Sequence, residues 1–343
     1  MSVEASVNPV PVFDQSKYVR GTVGDWVYPG DVIAKQARTS HGAYSALLSY
    51  ALKPSFDLPV TYEDYHIAVV NKPSDVLMYA DEGHSGQHDI RYALPYVLSI
   101  PEKYTSSLLF RPLCCHCLDS PTGRLVIVAK TMPALVEVSR LFEVRLVKKT
   151  YTDNLNGMSH EPGGTSISSN KARELGVHMD DDGEHKWQFI KTILDEKEAV
   201  MVCRPLKSYS SLQASNNCVT LVDLKPRTGR YQLCQKMAFL GTPIVGDTTY
   251  GHHNNEDQHW GQVLLLCSNE VTFSHPHYNT EVGRKEWELE NKETEYVRFC
   301  EYSNSVLVSV SIDLPNKFEK FMSSEEKRAR YDYDVPLLKL RCS

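Results

Sequence analysis

Apolar residues in this chain fall mainly in short runs bounded by turn-forming residues, which is the pattern of β-strands. The run Leu125–Ala129 is continuous and rich in β-branched residues, so it predicts a strand that is buried on both faces. The segment His66–Ser74 has the same character and is ended by its proline. Further strands are predicted at 145–151, 198–203, 209–213, 218–224 and 307–312.

Helical spacing of apolar residues is found in fewer places. Leu135, Val138 and Leu141 recur at helical intervals and predict a helix over Pro133–Val144. The composition of Gly42–Leu52 predicts a second, short helix. A segment rich in Gly, Ser, Asn and Asp follows at 156–187, and we expect it to be an exposed insertion that carries no chemistry.

Composition and charge narrow the class of protein. The chain has 343 residues, 41% hydrophobic and 23% charged, as in a soluble globular protein with a substantial core. A net charge of −6 excludes a generally basic nucleic-acid coat, so any nucleic acid must be bound by a local basic surface. No apolar run approaches the roughly 18 residues of a membrane span. The nine cysteines are irregularly spaced, which favours reduced thiols in an intracellular, reducing compartment.

The loop before the buried strand holds the main candidate for chemistry. Asp119 lies at the mouth of that strand, where a rigid scaffold can fix a catalytic carboxylate. The alternative is that Asp119 only forms an Asx-turn ahead of Pro121. The cluster Cys114–Cys117 could suggest zinc, but adjacent ligands on an extended chain point to opposite faces, and no second ligand pair is evident. We therefore expect small buried thiols there and no metal site.

This loop resembles the signature of the RluA-type RNA pseudouridine synthases, His-Arg-Leu-Asp-Arg-x-Thr-Ser-Gly. Four positions agree: His116, Leu118, Asp119 and Thr122. Cys117 and Ser120 replace two arginines, and Gly123-Arg124 stands where Ser-Gly is expected. The resemblance implies that Asp119 is the catalytic nucleophile.

Other segments resemble the same family in the same order along the chain. Asn71-Lys72-Pro73-Ser74 is similar to its opening motif, where Lys72 would be architectural instead of a solvated strand end. Val147–Tyr151 matches Val-x-Lys-x-Tyr, which implies that Tyr151 packs against the target base and serves as a second catalytic residue. Gly241–Asp247 matches the family ending Gly-x-Pro-Ile-x-Gly-Asp, and 263–276 resembles the last core strand pair.

Three further positions depart from the family pattern. The histidine that should follow Tyr231 is missing, which leaves the next helix one residue short. Cys234 occupies the position of the arginine that pairs with the nucleophilic aspartate, and Cys267 replaces a histidine. Arg124, Arg230 and Lys236 are the candidates to supply the missing cation.

The resemblance covers about residues 58 to 325 and implies an α+β fold. This fold is a mixed, mostly antiparallel sheet with flanking helices and a central RNA cleft. We divide the chain into an N-terminal extension at 1–55, a catalytic domain at 56–325 and a C-terminal tail at 326–343. The extension is either a remnant of an RNA-binding module or a segment that packs on the core. The implied reaction converts uridine to pseudouridine in rRNA or tRNA without a metal or organic cofactor.

Basic residues near these motifs are candidates for phosphate contacts, because RNA affinity rests on local positive charge. The alternative for each is an ordinary solvated surface charge. The candidates are Arg124, Arg140, Arg145, Lys148, Lys149, Lys225, Arg227, Arg230 and Lys236.

A rival interpretation is that this chain is a catalytically impaired RNA-binding or ribonucleoprotein-assembly factor. The combined changes at Cys117, Ser120, the missing histidine and Cys234 motivate it. A flavin-pathway deaminase fusion is excluded, because the zinc-deaminase motif His-x-Glu with Pro-Cys-x-x-Cys is absent. We expect RNA as the partner, with neither DNA nor a membrane.

Overall fold

A computed structural model describes the residues in these ranges: 54–79, 88–99, 107–118, 120–156, 165–166, 187–194, 197–211, 214, 217–227, 232–251, 264–290 and 293–341. The predicted extension at 1–55 lies outside them except for its last two residues, as does the predicted helix Gly42–Leu52. Most of the predicted insertion at 156–187 also lies outside, and so do Asp119 and Arg230.

The described residues form twelve strands and five helices. The strands are β1 Val60–Glu63, β2 Ile67–Lys72, β3 Leu108–Cys114, β4 Gly123–Thr131, β5 Lys148–Asn156, β6 Thr165–Ser166, β7 Gln188–Leu194, β8 Lys197–Ser210, β9 Cys218–Pro226, β10 Leu266–Ser274, β11 Val297–Cys300 and β12 Ser305–Ser311. The helices are α1 Ile90–Val97, α2 Met132–Glu143, α3 Gln232–Phe239, α4 Glu281–Glu290 and α5 Asn316–Arg341.

All twelve strands belong to one sheet. Its main path runs β1-β2-β4-β10-β5-β9-β8-β7-β6, with β3 paired to β4, β12 to β10 and β11 to β12. The β4–β10 pair is parallel, and the other pairs are antiparallel. The expected α+β class and mixed, mostly antiparallel sheet are therefore confirmed.

The packing of strand β4 explains why Leu125–Ala129 is an uninterrupted apolar run. Leu125 and Ile127 pack with helix α2 in one core cluster, whereas Val126 and Val128 pack with helix α1 in another. All four side chains have 0% exposure. A strand covered on both faces gains hydrophobic stabilisation from every residue, so no polar alternation is required.

Helix α2 begins and ends on residues suited to those positions. The side chain of Thr131 accepts a hydrogen bond from the Ala134 N–H at 3.3 Å, and a proline occupies the first turn. At the other end Arg145 adopts φ +61°, and its N–H donates to the Phe142 carbonyl at 3.2 Å. Strand β5 consequently begins at Lys148, three residues after the predicted start at 145.

Three predicted boundaries differ from the structure. The predicted strand at 198–203 and the first two residues of the one at 209–213 belong to the single strand β8, whose register shifts between Pro205 and Lys207. A proline at an irregular position does not interrupt the ladder, because no N–H is required there. The segment 263–276 contains one strand, β10, instead of a pair. The predicted C-terminal tail continues helix α5 as far as Arg341.

Within the described ranges, none of the helices has both the length and the apolar character needed to traverse a lipid bilayer.

Candidate active site

Five neighbouring strands place one residue each in a single row across the sheet. Lys72 pairs with Arg124, Arg124 with Ser268, Ser268 with Tyr151 and Tyr151 with Leu224. Adjacent strands are about 4.8 Å apart, so the backbones of Arg124 and Tyr151 are roughly 10 Å apart. The loop that contains Asp119 runs directly into β4, and the row brings that loop and Tyr151 to the same part of the sheet.

A buried lysine fixes the carbonyl next to Asp119. Lys72 has 0% exposure, and its Nζ donates to the carbonyls of Pro73 at 3.1 Å, Val76 at 2.7 Å and Ser120 at 3.0 Å. The Asp75 N–H donates to the same Ser120 carbonyl at 2.8 Å. The interpretation of Lys72 as a solvated strand end is wrong, and its architectural role is confirmed. We refer to these contacts as the Lys72 clamp.

The residues after the loop have an unusual backbone. A Cβ atom on Gly123 would approach the Ser74 Oγ to 2.9 Å and the Lys72 carbonyl oxygen to 3.2 Å, so packing requires glycine there. Arg124, at the position where the resemblance expects glycine, has φ +109°. Such a conformation in a non-glycine residue costs on the order of 1–3 kcal/mol. Arg124 follows Asp119 by five residues in the sequence, and strain of this kind often occurs at functional sites.

The Gly/Ala comparison at position 124 tests this strain. We expect the Arg124→Gly variant to be more stable than the Arg124→Ala variant, with a free energy of unfolding higher by about 1 kcal/mol. Both variants lose the guanidinium group, but only alanine keeps a Cβ atom at positive φ. Urea denaturation measures the difference. Gly123→Ala is the matched control and should be less stable than the native chain. Equal stability of the two Arg124 variants would mean that the backbone there is not strained in solution.

The side chain of Arg124 lies near two groups from other elements. Burial raises the pKa of Cys267 to about 12, and the nearby charges of Arg124 and Lys317 oppose this shift. Lys317 donates from its Nζ to the Leu264 carbonyl at 2.7 Å and to the Ser74 hydroxyl at 3.3 Å. Arg124 and Cys267 are both departures from the family pattern, and they are neighbours in space. The RNA-binding role of Arg124 stays a prediction.

Tyr151 and Cys234 lie against the same core cluster. Tyr151 is half-buried in β5, and Cys234 is half-buried in helix α3. Both pack on a cluster that includes Leu155, Leu224 and Met237. The position at which an arginine was expected is thus on the Tyr151 side of the sheet, and it carries a small neutral side chain.

Lys236 does not replace that arginine. Its side chain is 1% exposed, and its Nζ donates to the carbonyls of Ile190 at 3.0 Å and Ala199 at 2.6 Å. Burial lowers its pKa to about 8. Lys236 ties helix α3 to the β7–β8 hairpin, and its buried Nζ is directed at these carbonyls instead of at a surface where a phosphate could bind.

Three predicted RNA contacts lie together where β5 begins and β9 ends. The Nη1 of Arg145 donates to the Arg227 carbonyl at 3.3 Å, and Lys148 is exposed nearby at the start of β5. Burial lowers the pKa of Arg227. We call Arg145, Lys148 and Arg227 the basic edge. Lys149 lies elsewhere, half-buried, with its Nζ 3.1 Å from His116 Nδ1 and 5.4 Å from the centre of the Phe142 ring.

The other two basic candidates have acidic neighbours. Arg140 is bound to Glu137 at 2.7 Å on the surface of helix α2. The Nζ of Lys225 is 3.9 Å from Glu270 and lies over the Trp187 ring. These pairs leave both residues less available to phosphate than the basic edge.

Comparison with known proteins identifies the family of this chain. A family model described as RNA pseudouridylate synthase matches residues 66–238, half of the chain. This chain belongs to the RNA pseudouridylate synthase family. The resemblance identified from the motifs is confirmed, and with it the class of enzyme, an isomerase that acts on RNA.

Individual relatives of the family are similar at low identity. A tRNA pseudouridine synthase C of Vibrio parahaemolyticus is 27% identical over 238 residues, which cover 67% of this chain and 89% of that protein. A ribosomal large subunit pseudouridine synthase D of Borreliella burgdorferi is 28% identical over 202 residues, covering 58% of this chain and 57% of that protein. The solved structure of human RNA Pseudouridylate Synthase Domain Containing 4 has a TM-score of 0.48 and 18% identity, covering 83% of this chain and 96% of that one.

Two features of this pseudouridylate synthase site were missed by the motifs. Lys317 lies in the closing helix, and its contact with Ser74, in the turn after β2, joins positions far apart in the sequence. His116 and Lys149 each match a family motif, but no spacing rule predicts that their side chains meet. A long-range pairing of this kind has no local sequence signal.

Proposed function

We propose that this chain isomerises uridine to pseudouridine in tRNA or rRNA, with Asp119 as nucleophile and Tyr151 against the target base. The observation that carries the proposal is the row of paired residues, which aligns the start of β4 with Tyr151. The Lys72 clamp supports it, because an active-site carboxylate must be held in one position to react.

The proposed reaction requires the uridine to leave its stack. An extruded base would lie between the Asp119 loop and the Tyr151 ring, whose face offers stacking and whose hydroxyl offers a hydrogen bond. Asp119 would form or stabilise a covalent intermediate while the glycosidic bond breaks. The uracil then turns and rejoins the ribose through carbon.

RNA would be held mainly by the basic edge, with Arg124 and Arg230 as further candidates. Arg145 donates to the backbone carbonyl of Arg227, and Arg145 and Lys148 are both exposed there, so these two side chains supply the surface charge of the basic edge. The names of the relatives favour tRNA or large-subunit rRNA as the substrate. RNA modification takes place inside the cell, which is consistent with a reducing compartment and with a ribonucleoprotein context.

The test uses the purified chain and total cellular RNA labelled with tritium at uracil C5. Pseudouridine formation releases that hydrogen, so we expect tritium in the solvent and pseudouridine in the digested tRNA or rRNA fraction. Unlabelled RNA that lacks uridine modifications serves to map the site. RNA binding without tritium release would contradict the proposed reaction.

The rival function, a non-catalytic RNA-binding factor, is favoured by one observation. Cys234 stands at the position where an arginine was expected, and the Nζ of Lys236 donates its hydrogen bonds to two backbone carbonyls. Among the described residues, neither of these positions supplies a cation to the carboxylate. Tight RNA binding that is the same in the native chain and in Asp119→Asn, with no product from either, is the result that favours this rival.

A further inference from the structure

The side chain of Lys317 is held at the first residue of strand β4. Lys317 lies in the first turn of helix α5 and is half-buried. Its Nζ donates to the Leu264 carbonyl at 2.7 Å and to the Ser74 hydroxyl at 3.3 Å. The Ser74 Oγ in turn lies 2.9 Å from the place that a Cβ atom on Gly123 would occupy. Helix α5 thus places an ammonium group at the point where the nucleophile loop enters β4.

A second cation lies at the same point. Arg124 follows Gly123, and its side chain hydrogen-bonds the thiol of Cys267, the residue that pairs with Gly123 on β10. Lys317 is also close to this thiol, since its charge and that of Arg124 both oppose the rise in the pKa of Cys267. Burial lowers the pKa of Lys317, and repulsion by Arg124 adds to that shift. Two like charges from separate elements are therefore held together here.

The acidic groups near this pair do not neutralise it. Within the part of the chain that the structure describes, no carboxylate lies within ion-pair distance of Arg124 or Lys317. Asp75 is exposed, and its charge opposes the fall in the pKa of Lys317. Asp153 is fully buried, and burial raises its pKa well above the usual range, which favours the uncharged acid. Positive charge therefore remains in excess at the start of β4.

Hydrogen-bond donors are also left over at this point. A lysine ammonium has three donors, and the described contacts of Lys317 use two of them. A guanidinium has five donors, of which the contact between Arg124 and the Cys267 thiol uses one. Excess positive charge with unused donors suits a phosphate, whose oxygens accept from several cations at once. The first turn of a long helix adds to this preference, because the helix dipole favours an anion there.

We propose that Arg124 and Lys317 together bind one backbone phosphate of the substrate RNA at the start of β4. This inference rests on the proposed function in taking RNA as the substrate. The Lys72 clamp lies at the same place, because Lys72 pairs with Arg124 and donates to the Ser120 carbonyl in the nucleophile loop. A phosphate bound there would fix the RNA strand beside that loop. The basic edge begins two strands away, on β5, and would hold a different phosphate.

The salt dependence of RNA binding tests this site, because each phosphate that a protein neutralises adds about 0.7–0.9 to the slope of log affinity against log salt concentration. The probe is total cellular tRNA, bound to the purified chain in filter assays over a series of KCl concentrations. We expect Arg124→Gln and Lys317→Gln each to give a shallower slope than the native chain. The double variant should be shallower by about 0.7–0.9, the value for one phosphate, instead of by the sum for two.

Matched variants separate the loss of charge from the loss of packing. Glutamine at position 317 can still donate a hydrogen bond, whereas Lys317→Arg keeps the charge and should keep the native slope. Lys327→Gln removes an exposed lysine ten residues further along α5 and should also keep the native slope. Urea denaturation shows that each variant is folded under the binding conditions. A folded Lys317→Gln protein with the native slope overturns the inference, and so does a double variant that loses the slope of two phosphates.

The binding measurement does not depend on catalysis. A native chain that binds tRNA and shows the expected change of slope in its variants, but forms no pseudouridine, overturns the proposed function and leaves the phosphate site standing. An active native chain whose variants keep the native slope overturns this inference alone. A native chain that does not bind RNA overturns both.

Discussion

Replacing Asp119 with asparagine is expected to reduce pseudouridine formation by at least about 10⁴-fold, as the loss of a catalytic nucleophile does in other enzymes. The amide has nearly the same shape as the carboxylate, but it carries no charge and is a poor nucleophile. Tritium release from C5-labelled RNA in a single turnover measures the effect. RNA affinity, measured separately by filter binding, should remain within about twofold of the native value, because one side chain of similar size has changed.

The matched control for this variant is Asp313→Asn. It makes the same chemical change at an exposed aspartate in the segment before helix α5. We expect native activity from it. Normal product formation by Asp119→Asn would remove Asp119 from the mechanism and return it to the role of a turn residue.

Replacing Lys72 with methionine is expected to lower both stability and activity. Methionine fills a similar volume, but the three carbonyls of the Lys72 clamp lose their donor. We expect a loss of about 2–4 kcal/mol in free energy of unfolding, since buried acceptors would be left unpaired. The Ser120 carbonyl would keep only the Asp75 N–H, and the nucleophile next to it would be less well positioned. A displacement near 1 Å can reduce the rate about 10²-fold.

The second buried lysine of this region provides the control for the clamp. Lys130 is 6% exposed and binds Glu63 at 2.6 Å and the Asp64 carbonyl at 2.7 Å. Lys130→Met should lose stability, but its folded fraction should keep the native rate, because Lys130 does not touch the nucleophile loop. Urea denaturation and single-turnover rates, both taken where each variant is folded, separate the two effects. A Lys72→Met protein that is destabilised but fully active would show that the clamp is not needed for catalysis.

The parts of the fold that were predictable are those fixed by local pattern. The continuous apolar run predicted β4, because burial on both faces leaves no polar position. The apolar spacing of Leu135, Val138 and Leu141 predicted helix α2 to within one residue at each end. The start of β5 was misplaced, because Arg145 adopts a left-handed conformation that residue type alone does not indicate.

The environment of the candidate site was less predictable, because long-range packing decides where a basic side chain points. Lys236 and Arg227 both seemed suited to RNA, but Lys236 is directed into the core, where carbonyls of β7 and β8 accept its hydrogen bonds. Lys72 and Ser120 are 48 residues apart and meet through the β2–β4 pairing. The motifs singled out these residues, but not the contacts that their side chains make.

Strand β10 pairs with two strands, β4 and β12, along the same edge, and this arrangement has a consequence for substrate choice. Cys267 and Ser268 pair with β4, whereas Glu270–Ser274 on the same strand pair with β12. The β1–β4 group and the β5–β9 group are joined through this strand, whose pairing with β5 is irregular between Ser268 and Glu270. In the proposed site, substitutions in this one strand would change the spacing between the Asp119 loop and Tyr151. Evolution can in this way adapt the same chemistry to differently shaped RNA elements.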